Sequence, residues 1–108
     1  MGHGSSVTPQ VMERVKQLIS ANKVFVFSKS YCPFCVRVKN VLQAEGIEFV
    51  AVELDNESEG SQMQAAAAQL SGCRTVPQVF INGKFVGDCS KTTALARSGD
   101  LQSLVNAE

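Results

Sequence analysis

The sequence predicts a single α/β domain, a mixed four-stranded sheet with helices on both faces in the order α-βαβ-α-ββ-α. Three observations predict it. Val24-Phe-Val-Phe27 is short, β-branched and aromatic, apolar on both faces and bounded by polar residues, as a central strand covered on each side should be. A helical repeat separates it from a second apolar run, and two parallel strands need such a crossover, with the usual right hand. Asn82-Gly83 stands between Gln78-Val-Phe-Ile81 and Lys84-Phe-Val86, a hairpin signal because both turn positions need positive φ.

The elements follow in order. Thr8 can cap free amides and Pro9 presets φ, so a helix starts there and runs to about Ala21, with Val11, Met12, Val15, Leu18 and Ile19 at helical spacing. After the Val24–Phe27 strand, Phe34, Cys35, Val38, Val41 and Leu42 restore the helical period, and Gly46 is a natural stop. Ile47 to Leu54 reads as the second strand. Met63, Ala66, Ala67 and Leu70 trace one face of a third helix that ends at Gly72. Past the hairpin, Thr92 to Ser98, closed by Gly99, and Leu101 to Val105 give one or two short helices. Residues 1–7 read as a flexible tail and 8–108 as the domain, with no repeat or low-complexity linker between.

Composition narrows the function. A chain of 108 residues buries roughly two thirds of its unfolded surface, so its four cysteines are not needed as staples. Ten basic and ten acidic residues leave no net charge to recruit nucleic acid or an anionic membrane. The apolar runs fall far short of the ~20 residues a membrane-spanning helix requires. The N-terminus lacks the basic and apolar regions of a secretory signal, so the default is a reducing compartment, the cytoplasm. Gly2 and Ser6 fit the loose myristoylation pattern, and the same letters suit a frayed tail.

Cys32-Pro33-Phe34-Cys35 is a C-x-x-C between a buried strand and the first turn of a helix. A sulfur at a helix N-terminus sees unpaired amides and the positive end of the dipole, which lowers its pKa and identifies Cys32 as the nucleophile. Cys35 lies one turn inside, buried and protonated, as the resolving thiol. Lys29 adds positive charge near the thiolate or is simply solvated. The same C-x-x-C fits half of a tetrahedral zinc site, but the other half is missing: Cys73 and Cys89 are single and His3 lies in the tail, so no metal is expected.

Lys29-Ser-Tyr-Cys-Pro-Phe-Cys35, Arg74-Thr-Val-Pro-Gln-Val-Phe-Ile-Asn-Gly-Lys84 and Gly87-Asp-Cys-Ser90 resemble the active-site, Thr-Val-Pro and glycine-rich segments of dithiol glutaredoxins. The resemblance spans nearly everything from the first helix onward and implies a thioredoxin-like fold. It implies glutathione as co-substrate, with Cys32 and Cys35 catalytic and a binding site made by Lys29, Phe34, Gln64, Arg74, Thr75, Val76, Pro77, Gly87, Asp88, Cys89 and Ser90. In similar proteins Pro77 is cis, facing the active-site cysteine, and the Val76 backbone pairs with the cysteinyl part of glutathione. Lys29, Gln64 and Arg74 would meet its glycine carboxylate, Phe34 would line the groove, and Ser90 would offer backbone to the γ-glutamyl carboxylate. Without the family, Gln64 passes as a solvated helix residue and Arg74 as a surface charge.

The activity so implied is reduction of glutathionylated proteins and protein disulfides by a monomer, with glutathione reductase and NADPH restoring the glutathione. Three positions depart from the family pattern. Asp88 replaces a usual second glycine, and Lys91 stands where an acidic residue would meet the glutathione ammonium, so Asp88 either takes over that contact or only faces solvent at a helix start. Phe34 replaces a frequent tyrosine, keeping the apolar wall without the hydroxyl. Cys73 and Cys89 are extra thiols, open to glutathionylation or idle in a reducing cytosol. The competing class is a carrier, a dimer around a [2Fe-2S] cluster held by the first active-site cysteine and two glutathiones, against which Pro33 argues because related cluster binders often have a smaller residue there. A thioredoxin-type reductant is disfavoured because the chain contains no tryptophan.

Overall fold

The computed structural model describes residues 7–107. The tail readings at Gly2, His3 and Ser6 lie outside the described residues.

Helix α1 (Pro9–Ala21) begins as expected, with the Thr8 hydroxyl accepting from the Val11 amide at 3.2 Å. Strand β1 (Val24–Ser28) is buried along its whole length. Helix α2 (Pro33–Ala44), strand β2 (Val50–Glu53), a 3-10 turn (Leu54–Asn56) and helix α3 (Gly60–Ser71) complete the first half. Strands β3 (Gln78–Ile81) and β4 (Lys84–Gly87) form the hairpin, followed by α4 (Cys89–Ser98) and α5 (Asp100–Asn106). Asn82 and Gly83 both hold positive φ, 52° and 83°, as the turn requires.

The sheet order is β2-β1-β3-β4, with β1 parallel to β2 and antiparallel to β3. Alternation along β1 sends Phe25 and Phe27 to one face, where Phe80 and the buried sides of α1 and α3 meet them. Val24 and Val26 go to the other, with Val79, Ile81, Val38 and Leu42, and Leu101 of α5. Helices on both sides explain why β1 carries no polar alternation until Ser28.

Two boundaries differ from the sequence reading. The expected strand from Ile47 to Leu54 shrinks to Val50–Glu53. Gly46 turns left-handed at φ 70°, which aims the Ile47 amide back at the Leu42 carbonyl, 3.0 Å away, so Ile47 closes α2 instead of entering the ladder. Leu54 is buried in the 3-10 turn. The helix expected from Thr92 starts three residues earlier, because Asp88 caps it through a 3.0 Å bond from the Lys91 amide to Oδ1. Leu70, placed on the apolar face of α3, is 40% exposed.

Candidate active site

Strand β1 delivers the chain to a short turn, Lys29–Tyr31, that is pinned from below. Asp55 Oδ1 accepts from the Ser30 amide at 2.9 Å, and its other oxygen accepts from the Ser30 hydroxyl. These two bonds, with Lys29 nearby, hold the Asp55 carboxyl below its ordinary range. The turn sets Cys32 as the N-cap of α2 with Pro33 in the first helical turn, so the sulfur takes the place of a capping oxygen.

Cys32 Sγ accepts from the Cys35 amide at 3.4 Å. Partial burial pushes the Cys32 pKa up, but hydrogen bonds from the Cys35 thiol and from the Cys35 and Phe34 amides, with the Lys29 charge, bring it below the ordinary value. The Lys29 charge is the smallest of these causes. Cys35 is fully buried, and burial followed by its bond to Cys32 pushes its thiol up to about 11. Cys32 is thus the more readily ionised sulfur and Cys35 the one held protonated. Alkylation of Cys32 by iodoacetamide should therefore rise with pH to a plateau whose half-point falls below the ordinary 9.0, and reactivity should disappear as pH drops through that half-point. A half-point at or above the ordinary value would refute this description of the site.

Beside the cysteines runs a groove of about 300 Å³ lined by Phe34, Thr75, Val76, Pro77, Asp88, Cys89 and Ser90. The Val76–Pro77 peptide is cis, as the family resemblance implied. The loop before it is braced by the buried Gln78, whose Nε2 donates to the Cys73 carbonyl at 2.7 Å and to that of Thr75 at 3.1 Å. Gly87 has φ 150°, and a Cβ there would come within 2.7 Å of Lys91 Cβ, so the backbone approaches α4 in a way only glycine permits. Gln64 and Arg74 line a concavity along α3, about 740 Å³, and neither it nor the groove beside Phe34 has an active-site cysteine in its lining. They are joined there, Gln64 Nε2 donating to the Arg74 carbonyl at 2.9 Å. The smaller groove adjoins the cysteines through Phe34, which lies between them in the first turn of α2.

Cys89 is buried in the first turn of α4, and its sulfur lies 3.9 Å from the Thr93 hydroxyl. Cys73 is half-buried, its sulfur 3.6 Å from the Thr75 carbonyl. Among the described residues no group of three or more His, Cys, Asp or Glu side chains could hold a metal ion. Sequence reasoning missed Gln78, Asp55 and a polar chain of Ser28, Glu53 and Lys39 beside Cys35. The available signals were a glutamine at the head of an apolar strand and a serine closing another.

A central sheet with a nucleophilic and a buried cysteine at the N-terminus of a helix defines a thiol-disulfide oxidoreductase of the thioredoxin-like class. A family model described as Glutaredoxin matches residues 24–86. The chain is 53% identical over 94 residues to a glutaredoxin of Solanum lycopersicum, covering 87% of each chain. It is 50% identical to glutaredoxin-C2 of Arabidopsis thaliana, covering 87% of this chain and 85% of that one. Among solved structures it is similar to a buckwheat glutaredoxin-glutathione complex, with TM-score 0.86 at 41% identity over 89% of this chain and 87% of that one. It is similar also to the holo form of glutaredoxin C1 from Populus tremula x tremuloides, with TM-score 0.85 at 42% identity over 89% and 86%. The chain belongs to the glutaredoxin family, whose members are glutathione-dependent oxidoreductases.

Proposed function

We propose that this protein reduces glutathione mixed disulfides and, through Cys35, protein disulfides, in a reducing compartment such as the cytoplasm. The observation that carries the reading is the groove beside Phe34, whose lining takes in the Thr75–Pro77 loop and the Asp88–Ser90 turn. Its size falls at the low end of small-ligand clefts, on the order of 300–1,000 Å³. A glutathione complex of a similar glutaredoxin supports the choice of ligand.

The Cys32 thiolate attacks the glutathione sulfur of a mixed disulfide, the S–S bond to the substrate breaks, and the reduced substrate leaves as a thiol after taking a proton. A second glutathione thiolate attacks the glutathione sulfur on Cys32, forming oxidised glutathione and returning the Cys32 thiolate. The same lowered pKa that makes Cys32 available makes it a good leaving group in this second exchange. On a protein disulfide, the adduct on Cys32 is displaced by Cys35 instead.

The test is turnover of a glutathionylated peptide with glutathione, glutathione reductase and NADPH. Robust NADPH consumption is expected, and none would defeat the proposal. The same assay decides what Asp88 does. Its Oδ1 is used in capping α4, yet the residue also lines the groove. Asp88→Gly weakens the cap by only a few tenths of a kcal/mol. If the carboxylate also meets the glutathione ammonium, the KM for glutathione should rise about two- to fivefold, the range of an exposed ion pair. Lys91→Asp should lower it. An unchanged KM in Asp88→Gly would leave that residue as a helix cap alone.

A further inference from the structure

Strands β1 and β2 run parallel with Ser28 opposite Glu53, so two residues past the end of that pairing Ser30 comes abreast of Asp55. The two sides differ in how firmly they are held. Leu54, just before Asp55, is buried with Phe27 and Met63, and its carbonyl accepts from the Glu57 amide at 3.2 Å, which fixes the 3-10 turn that carries the carboxylate. Ser30 has no such anchor. It is exposed on a four-residue turn closed by a 3.1 Å bond from the Cys32 amide to the Lys29 carbonyl. Both of its donors go to Asp55, the amide to Oδ1 at 2.9 Å and the hydroxyl to the other oxygen. The reactive sulfur comes next. Cys32 is the N-cap of α2 with extended backbone, φ −88° and ψ 116°, and that conformation brings Sγ to the Cys35 amide at 3.4 Å. A turn released from Asp55 could swing about its ends and carry Cys32 out of the cap.

We propose that Asp55 is a positioning residue for Cys32: its carboxylate latches Ser30 from below, and through the turn it keeps the sulfur in the capping geometry from which it attacks. This rests on the reading of Cys32 as the nucleophile. The charge of the carboxylate works in the opposite sense. A negative group near a sulfur disfavours the thiolate, whereas a sulfur held against the free amides of a helix start is favoured as one. Geometry and charge therefore predict opposite results when Asp55 is removed. The other titratable groups that bear on this corner are Lys29, in the turn itself, and Cys35 from α2.

Alkylation of the reduced protein by iodoacetamide across pH, followed by mass spectrometry of the peptide that carries Cys32, tells the two apart. In Asp55→Ala the half-point is expected to rise by about half to one pH unit, part of the roughly one unit or more that a helix N-terminus confers on a thiol. Below the half-point the rate then falls about three- to tenfold. The plateau at high pH should be no lower than in wild type, because a more basic thiolate is at least as nucleophilic. Asp55→Asn keeps an oxygen for the Ser30 amide while removing the charge, so its half-point should stay at or below that of wild type. Ser30→Ala keeps the amide bond and loses the hydroxyl one, and should fall between wild type and Asp55→Ala. Asp55 and Ser30 are both exposed, so these substitutions open no cavity, and circular dichroism checks that each variant is folded. An unchanged or lowered half-point in folded Asp55→Ala would overturn the latch. A wild-type half-point at or above the ordinary 9.0 would overturn instead the reading of Cys32 on which the latch depends.

Discussion

Cys32→Ser should reduce turnover of both glutathionylated and protein disulfide substrates to below about a thousandth of wild type, since a serine hydroxyl at the same N-cap cannot ionise near neutrality or attack sulfur. The substitution is structurally mild. Serine is a better helix cap than cysteine, so α2 should keep its start and the protein its stability. Cys35→Ser should separate the two activities. Glutathione-coupled reduction of a mixed disulfide should persist within a fewfold of wild type, because the second glutathione does the resolving. Reduction of a protein disulfide should fall steeply, because nothing remains to displace the adduct from Cys32. NADPH consumption through glutathione reductase, followed for the three proteins side by side, checks all of this. Equal loss in both variants on the mixed disulfide would show that Cys35 is needed for every cycle.

The second large effect concerns stability. Phe27 is fully buried and makes edge-to-face contacts with Phe25 at 4.8 Å and Phe80 at 6.2 Å between ring centroids. These three rings form the floor on which α1 and α3 rest. Phe27→Ala removes most of a ring from a packed layer at a cost of about 3–5 kcal/mol. For a domain near 100 residues that lowers Tm by about 15–30 °C. Thermal melts of the reduced protein followed by circular dichroism measure it, and a drop below about 5 °C would mean the layer collapses to refill the space. Phe27 precedes Ser28 and the turn that carries Cys32, so the reduced protein should also lose part of its Cys32 reactivity well below the melt.

Much of this organisation was legible in local sequence. Thr8-Pro9, Asn82-Gly83 and Cys32-Pro33 act within a few residues of themselves, and each does in the structure what its chemistry dictates. The start of β2 was not, because whether Ile47 enters the sheet depends on where its amide points after the left-handed Gly46. Asp88 has the side chain of a helix cap, yet only the geometry of the Gly87 approach shows that it fills that role rather than Thr92 opening the helix later. The Ser28–Glu53–Lys39 chain joins three elements through strand register, which single-residue patterns do not encode. Gln64 meets the Arg74 carbonyl from helix to loop, a contact that no local pattern encodes.

The site is also distributed unevenly along the chain. Both cysteines stand between β1 and α2, in the first third, whereas the Thr75–Pro77 loop and the Asp88–Ser90 turn belong to the second half. During synthesis, which proceeds from the N-terminus, the ribosome therefore releases the thiols well before the walls that choose among their partners. Until β3 arrives to pair with β1, the nascent polypeptide carries a nucleophile without its filter.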